Sequence, residues 1–229
     1  MKIAIIPARG GSKRIPRKNI KLFCGKPIIA WSIEAAINSK CFDKVIVSTD
    51  DLEIAEIAGS FGAEIPFMRP ENLSDDQTTT IPVINHTIKW LKQQGIHPKL
   101  ACCIYATAPF VKADSIKQAY KQLQTTQADY CFSVTSYAFP IQRAIKITQQ
   151  RIEMFYPEHL NTRSQDLEEA YHDAGQFYWG KAEAFKQLKP LFSEHASPFL
   201  LPRHLVQDID TQEDWTRAEL MFYAIKNKV

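Results

Sequence analysis

The chain has 229 residues, of which 45% are hydrophobic and 23% are charged, which excludes disordered and fibrous classes. A chain of this length buries on the order of 70% of its unfolded surface, so its core needs neither disulfides nor a structural metal. The formal net charge of +3 gives no reason to expect a nucleic acid or a membrane as partner.

Short buried strands and amphipathic helices alternate along the chain. In chain order the pattern predicts a strand over 2–8, a helix from Pro27, a strand over 44–49, helices over 52–61 and 81–95, a strand over 100–105, a helix capped by Asp114, a strand over 130–135, regular structure at 174–179, a last strand over 205–209 and a closing helix over 211–227. Thr211 and Asp214 have the spacing of a capping box at the start of that closing helix. The alternation indicates a parallel sheet covered on both faces.

The alternation stops over 137–171, where Pro140 and Pro157 stand among scattered charges. A segment of this length without a clear period, inside a compact domain, is expected to have a function of its own. We interpret it as an insertion that forms a lid, a substrate-binding wall or a dimer arm.

The segment after the first strand, Arg9–Lys21, holds six cationic residues and no carboxylate. Its Gly10-Gly11 pair lets backbone amides approach a phosphate, and its Arg and Lys side chains supply charge. Because the loop follows the first strand of a parallel sheet, it is predicted to face the ligand crevice. It matches neither the Walker loop nor the dinucleotide fingerprint, which disfavours a nicotinamide oxidoreductase. The alternative is a solvated basic loop that contacts nucleic acid.

Asp208 and Asp210 are two residues apart on the predicted last strand, so both side chains are expected on one face. Paired carboxylates at the end of a strand suit Mg²⁺, which also binds phosphate oxygens. No cluster of His and Cys residues in the sequence suggests zinc.

The five cysteines include no C-x-x-C pair, which predicts reduced thiols and a cytoplasmic protein. The apolar N-terminal run is stopped by Arg9, so no signal peptide is expected. The longest apolar run, 100–111, is shorter than the roughly 20 residues that a membrane-spanning helix requires.

Four motifs, in the right order, resemble those of the CMP-sialic acid synthetase family, the cytidylyltransferases that activate nine-carbon 2-keto acid sugars. They are Ile5–Lys13 with Lys18-Asn19 downstream, Val47–Asp50, a loop beginning at Arg69 that is similar to R-P-x-x-L-(A/S)-x-D, and Asp208–Thr211. Because these motifs span nearly the whole sequence, the chain is identified as a member of this family.

Within the family, the chain most resembles the branch that activates pseudaminic acid. This likeness rests on Phe139–Ala144, Thr162–Asp166 and Tyr171–Trp179. The sialic acid enzymes typically carry Gln-Pro-Thr-Ser-Pro-Leu-Arg after the third core strand, where this chain has Tyr105–Val111. The absent Gln and Arg argue against ordinary sialic acid as the substrate.

The resemblance implies a Rossmann-like three-layer α/β sandwich of the nucleotidyltransferase type, with a mostly parallel sheet. Residues 1–229 would form one domain, and 137–171 would be its dimerisation arm in a homodimer. The implied reaction transfers CMP from CTP to the anomeric hydroxyl of the sugar acid and releases pyrophosphate, with Mg²⁺ as cofactor held by Asp208 and Asp210. The catalytic residues would be Arg9, Lys13 and Asp210.

The remaining site residues divide between the two substrates. The candidates for binding the nucleotide are Ala8, Arg9, Gly10, Gly11, Ser12, Lys13, Lys18, Asn19, Arg69, Thr79 and Thr80, with Arg69 directed toward the cytosine by the resemblance. The sugar is an anion and carries N-acyl and hydroxyl groups, so cationic, amide and aromatic side chains are expected around it. The candidates are Tyr105, Arg143, Lys146, Arg163, Gln165, His172, Asp173, Gln176 and Tyr178.

Two rival hypotheses stay open at this point. The first is an enzyme that activates another sugar acid, such as sialic, legionaminic or 3-deoxy-octulosonic acid. The second is a non-catalytic protein that binds nucleotides or nucleic acid through the basic loop, for which a steep dependence of affinity on salt is expected.

Overall fold

The structure is a computed structural model that describes residues 1–227. Its strands are β1 (Lys2–Pro7), β2 (Leu22–Phe23), β3 (Lys26–Pro27), β4 (Lys44–Ser48), β5 (Leu100–Ile104), β6 (Tyr130–Ser136), β7 (Ile145–Thr148), β8 (Arg151–Met154), β9 (Tyr171–Lys181) and β10 (Ala196–Leu200). Its helices are α1 (Ile28–Ser39), α2 (Leu52–Ser60), α3 (Thr80–Gln93), α4 (Ala113–Thr125), α5 (Ala182–Lys186) and α6 (Gln212–Lys226).

Six strands form the central sheet in the order β10-β6-β9-β5-β1-β4. β1 pairs in parallel with β4 and β5, and β10 pairs in parallel with β6. β9 is antiparallel to both of its neighbours, β5 and β6. The amino end of β9 therefore lies at the same edge of the sheet as the carboxyl ends of the parallel strands. The predicted mostly parallel α/β sandwich is confirmed.

Apolar side chains on both faces of the sheet place it between two layers of helices. In β1, Ala4 and Ile6 pack in a core with residues of α1, α2 and α4, whereas Ile3 and Ile5 pack with residues of α3 and α5. Side chains alternate along a strand, so a strand that is apolar at every position is buried on both faces.

A third apolar cluster lies beside the sheet and joins distant parts of the sequence. It contains Ile15 of the basic loop, Ile209 and Trp215 of α6, all at most 2% exposed. Burial of such side chains is favourable by roughly 1.5–3 kcal/mol each. This cluster therefore holds the basic loop beside the segment that carries Asp208 and Asp210.

Two predicted elements near the chain's centre and end were wrong in detail. The strand predicted over 205–209 is absent from the described structure: Pro202 leads into a 3₁₀ turn, Arg203–Leu205, and the position beside β6 is occupied by β10, which the sequence pattern did not predict. Helix α4 begins after Lys112, so Asp114 lies in its first turn rather than at the cap. A carboxylate there still favours the helix dipole. The capping box of Thr211 and Asp214 is confirmed.

The segment 137–171 leaves the sheet from β6 and returns as β9. Its base is closed by a hydrogen bond from the Tyr137 amide to the Ala170 carbonyl (3.0 Å). It contains the β7–β8 hairpin, whose Ile147 and Ile152 are 75% and 69% exposed. We call the stretch 137–170 the arm. Its place as an insertion in one nucleotidyltransferase domain stays a prediction.

Candidate active site

The loops that follow β1 and β5 at one edge of the sheet, together with the stretch from Arg69 into α3, form a cavity of about 550 Å³. β1 leads into the basic loop, and β5 leads into Tyr105; opposite them lies the stretch from Arg69 to α3. The cavity is lined by Pro7, Arg9, Ser12, Lys13, Arg14, Lys18, Asn19, Arg69, Leu73, Asp75, Asp76, Thr78, Thr79, Thr80, Val83, Tyr105, Ala106 and Thr107. Such a crevice at the carboxyl ends of strands is where open α/β sheets bind ligands.

The basic loop is held in a fixed shape by contacts with its own residues and with the turn after β4. The Asn19 side-chain amide donates to the Arg9 carbonyl (2.8 Å), and the Ser12 hydroxyl donates to the Ile15 carbonyl (2.7 Å). Gly10 packs so tightly that a Cβ there would lie 2.7 Å from Asp51 Oδ2. Gly10 is therefore required for the loop to approach this turn, whereas Gly11 faces open space.

Ala8, at the start of the same loop, is directed into the protein rather than toward the cavity. Its side chain is buried in the core, and its amide donates to the Ser48 carbonyl (2.9 Å). These contacts fix the direction in which the loop leaves β1, and the assignment of Ala8 to the nucleotide stays a prediction.

The two predicted catalytic cations, Arg9 and Lys13, share one acidic partner in this structure. Arg9 forms an ion pair with Asp76 (2.9 Å) and Lys13 forms another with the same carboxylate. The Lys13 hydrogen bond and the nearby charges hold the pKa of Asp76 below its usual range. Arg9 also donates to the Asp75 carbonyl. Asp76 thus occupies the cationic centre of the cavity, where phosphate oxygens would compete with it.

Two further cations connect the cavity to the distant carboxylate pair. Lys18 donates to the Ile209 carbonyl (2.7 Å) and lies 3.3 Å from Asp210. Arg14 forms an ion pair with Asp210 (2.7 Å). Arg14 and Lys18 both line the cavity, so Asp210 is directly next to it.

The pair Asp208 and Asp210 has the chemistry of a site for a hard cation. Burial, and then the negative charge of Asp210, raise the pKa of Asp208. Two carboxylates that repel each other in this way are stabilised by a divalent cation between them. Mg²⁺ is typically bound by one or two carboxylates together with waters and substrate phosphates, so the pair fits this ion. Within residues 1–227 no group of three or more His, Cys, Asp and Glu forms a complete site.

Known proteins resemble this chain over nearly its whole length. A sequence model of the family described as cytidylyltransferase matches residues 3–225. The chain belongs to the cytidylyltransferase family. It is 47% identical to a pseudaminic acid cytidylyltransferase of Campylobacter jejuni, over 96% of this chain and 95% of the relative. It is 32% identical to a CMP-N,N'-diacetyllegionaminic acid synthase of Legionella pneumophila, over 95% and 94% of the two chains.

A solved structure shares the fold. The CMP:2-keto-3-deoxy-manno-octonic acid synthetase complexed with CTP superposes with a TM-score of 0.71 at 14% identity, covering 97% of this chain and 98% of that one. The predicted family membership and fold class are confirmed by these comparisons.

In this cytidylyltransferase a smaller cavity of about 270 Å³ adjoins the first. Thr79, Thr80 and Tyr105 line both cavities, and the Tyr105 and Thr80 hydroxyls lie 3.2 Å apart. The smaller cavity is also lined by Asp173 and Tyr178, whose hydroxyl donates to the Asp173 carboxylate (2.6 Å). Burial, and then the nearness of Tyr105 and Asp173, raise the pKa of Tyr178. Three of the predicted sugar residues thus meet beside the predicted nucleotide residues.

Two other predicted sugar residues on β9 have internal partners. The His172 Nδ1 lies 2.8 Å from the Asp173 carbonyl, and its ring packs against Tyr137. Gln176 is buried, and its amide donates to the Leu205 carbonyl, which anchors the segment leading to Asp208. Their contact with sugar stays a prediction.

The four candidates on the arm do not meet around either cavity in the described chain. Arg143 donates to the Thr162 carbonyl, and Lys146 pairs with Glu153 across the hairpin (2.9 Å). Arg163, 72% exposed, pairs with Asp166 (2.7 Å), and Gln165 is exposed in the same turn. Their assignment to the sugar also stays a prediction.

The sequence analysis did not assign three charged residues of the cavity lining: Arg14, Asp75 and Asp76. Arg14 was counted among the six cations of the basic loop, which was the only signal for it. Asp75 and Asp76 lie at the end of the motif that begins at Arg69, but nothing in their spacing showed that this loop would fold back on Arg9.

Proposed function

We propose that the chain transfers CMP from CTP to the anomeric hydroxyl of pseudaminic acid and releases pyrophosphate. The observation that carries the proposal is one cavity lined by Arg9, Lys13 and Lys18, with Asp210 ion-paired at its border, in a member of the cytidylyltransferase family. The choice of sugar is supported by the relative at 47% identity, which is higher than the 32% of the legionaminic acid enzyme.

The reaction needs positioning and charge stabilisation more than covalent participation by the protein. The sugar hydroxyl oxygen forms a bond to the α-phosphorus and loses its proton to water, while the bond from that phosphorus to the pyrophosphate oxygen breaks. Arg9 and Lys13 would bind the phosphates after leaving Asp76, and they would stabilise the charge that develops on pyrophosphate. Arg69 and the Thr79–Thr80 pair would hold the rest of the nucleotide.

Asp208 and Asp210 would hold Mg²⁺ in this scheme. When bound there, the ion would neutralise phosphate charge and lower the pKa of the attacking hydroxyl. Lys18 and Arg14, which both form ion pairs with Asp210, would orient its carboxylate.

The active form in this proposal is a homodimer whose arms contact the partner. The arm presents apolar side chains to solvent, with Phe139 81% exposed, Ile147 75% and Ile152 69%. Exposed apolar patches of this kind are typical of interaction sites. The cations Arg143, Lys146 and Arg163 on the same arm would then approach the carboxylate of a sugar bound to the partner.

The proposed compartment is the cytoplasm. All five cysteines are free, and four of them are buried. Unpaired thiols are typical of a reducing compartment. Within residues 1–227 no helix has both the length and the apolar character to cross a bilayer.

A pyrophosphate-release assay tests this function. It uses the four nucleoside triphosphates, each combined with pseudaminic, legionaminic, sialic and 3-deoxy-octulosonic acids, in the presence of Mg²⁺. We expect release only with CTP and fastest with pseudaminic acid. Faster turnover of another sugar acid would overturn the choice of sugar, and the absence of release with every pair would overturn the enzymatic proposal.

A further inference from the structure

One carboxylate outside the cavity lining connects two of its walls. Asp50 follows β4, and its Oδ1 accepts a hydrogen bond from the Gly10 amide (3.0 Å) and another from the Arg69 guanidinium (3.4 Å). Gly10 belongs to the basic loop, whereas Arg69 begins the loop on the opposite wall. The same oxygen thus ties together segments that are separated by almost sixty residues in sequence.

Arg69 depends on this carboxylate for its charge balance. Its side chain is only 3% exposed, and the pair with Asp50 is the one ion pair it makes within residues 1–227. Burial lowers the pKa of Arg69, while the charge of Asp50 opposes that effect. A buried guanidinium without an ionised partner is strongly unfavourable, because the lost hydration is not replaced.

The backbone also ties Arg69 to the strand that precedes Asp50. The Arg69 amide donates to the Thr49 carbonyl (2.7 Å), and Thr49 forms an isolated parallel bridge with Met68. The Arg69 Nε donates to the Ser74 hydroxyl (3.2 Å), which in turn donates to the Pro70 carbonyl (3.0 Å). The guanidinium is therefore held from two sides, and Asp50 supplies the only charge among these partners.

We propose that Asp50 is a positioning residue: it holds Arg69 and the Gly10 end of the basic loop in the arrangement that binds the nucleotide. This proposal rests on the proposed function for the identity of that nucleotide. Asp50 touches no substrate in this account and acts through Arg69 and Gly10.

For removal of the Asp50 charge, the proposal predicts a change in CTP affinity opposite in sign to the change expected from charge repulsion alone. A carboxylate near a cationic cavity repels a triphosphate, so removing its charge should strengthen binding if charge were its only influence. If Asp50 instead positions Arg69, then Asp50→Asn should weaken binding. The asparagine keeps an oxygen for the Gly10 amide but leaves the buried Arg69 without a counter-charge.

Binding measurements without sugar test this directly. Isothermal titration of the full chain with CTP and, separately, with pyrophosphate should give about tenfold weaker CTP binding for Asp50→Asn, since hydrogen bonds to charged groups have effects of this order. Its pyrophosphate affinity should change less than about twofold, because the Gly10 contact is kept. Asp50→Ala, which also loses the Gly10 contact, should weaken both ligands.

The matched control is Glu53→Gln, which removes a negative charge from the same turn. Glu53 is 63% exposed and pairs with Arg17 rather than with Arg69. Its CTP affinity should be unchanged or stronger. CTP binding by Asp50→Asn that equals or exceeds that of the wild type would overturn the proposal, and so would equal losses for CTP and pyrophosphate. The binding titration contains no sugar, so it does not depend on the transfer reaction. Failure of that reaction would appear in the pyrophosphate-release assay, as wild-type protein that binds CTP but gives no turnover.

Discussion

The nucleotide end of this molecule and its arm place their functional residues by different means. At the nucleotide end, Arg9, Lys13 and Lys18 come from one loop at a sheet edge, and the cluster of Ile15, Ile209 and Trp215 packs that loop against the segment with Asp210. In the arm, the three predicted cations have local partners, and none of the predicted arm residues lines either of the two cavities. A core organises the first region, whereas the second presents its apolar side chains outward.

This difference indicates which kind of site a single chain can form by itself. Parallel strands bring their following loops to one edge, so residues far apart in sequence converge there without help from a second molecule. A hairpin with both faces in solvent has no such constraint. Its residues can be organised only by a surface that packs on it, which is the reason for placing the arm on a partner.

The largest expected effect is at the carboxylate pair. Asp210→Asn should abolish turnover, because it removes one of the two proposed metal ligands next to the cavity. The measurement is pyrophosphate release at saturating CTP and sugar, with circular dichroism to show that the fold is kept. Asp210 is 35% exposed and its partner Arg14 is 66% exposed, so the lost ion pairs are partly solvated and unfolding is not expected. Near-normal activity would contradict the metal assignment.

The next effect concerns the basic loop. Arg9→Ala should lower the turnover number by about 10²-fold or more, as removal of a charge-stabilising donor typically does. Lys21→Ala is the matched control: it removes a cation from the same loop, but Lys21 contacts Gln212 and Trp215 and does not line the cavity. An unchanged rate for Arg9→Ala would show that other residues stabilise the phosphates.

A mixed dimer sharpens the comparison between the two regions. Arg163→Ala should raise the KM for the sugar by about tenfold and leave the KM for CTP unchanged, as expected for a lost charged contact. Hybrids of Arg163→Ala with Asp210→Asn subunits, purified with two different tags, should recover about half of the wild-type activity with the wild-type KM. This follows because the one intact metal site would receive the intact arm of its partner. A hybrid that keeps the raised KM would show that the arm serves its own chain.

A smaller effect is expected where Asp76 meets Arg9 and Lys13. Asp76→Asn should bind pyrophosphate a few times more tightly than the wild type, since the anion no longer competes with a carboxylate for exposed cations. Glu71→Gln, a charge-matched change in the same loop, should leave pyrophosphate affinity nearly unchanged. Titration calorimetry at low salt measures both. Weaker binding by Asp76→Asn would show that the carboxylate shapes the site instead.

The smallest effect is on stability alone. Thr211→Ala removes the cap of α6 and should cost about 1 kcal/mol in the free energy of unfolding with little change in turnover. Bonds from the Thr211 hydroxyl and amide lower the pKa of Asp214, so the stabilisation is present above about pH 4 and is lost as the pH falls through the lowered value. Urea unfolding at pH 7 and pH 3 measures this, and an equal difference between the two proteins at both values would contradict it.

Much of the nucleotide end could be predicted from the sequence because its signals are local. The Ile-rich first strand, the glycine pair and the cations of Arg9–Lys21 are contiguous, and the sheet topology then fixes where they point. The sequence also predicted that Asp208 and Asp210 lie near this loop, although the strand predicted over 205–209 is absent from the described residues. The contact between Ile15 and the Ile209 segment, rather than strand pairing, brings them there.

The partners of that loop could not be predicted in the same way. Asp50 and Asp76 act through contacts across 40 and more residues of sequence, and no periodicity marks such contacts. β10 was missed because its short sequence, Ala196–Leu200, contains Pro198 and only a weak apolar pattern. In the proposed dimer, the arm's residues depend on a surface of the partner.

The closure of the arm at its base has a consequence for the sugar-binding role that we propose for the arm. Tyr137 and Ala170 are joined by a hydrogen bond as the chain leaves one central strand and enters its neighbour. Everything between them can therefore be lengthened, shortened or exchanged without shifting the register of the sheet. If the arm contacts the sugar as proposed, the acceptor would change while the nucleotide cavity is kept, and a transplanted arm would be a route to new sugar specificities.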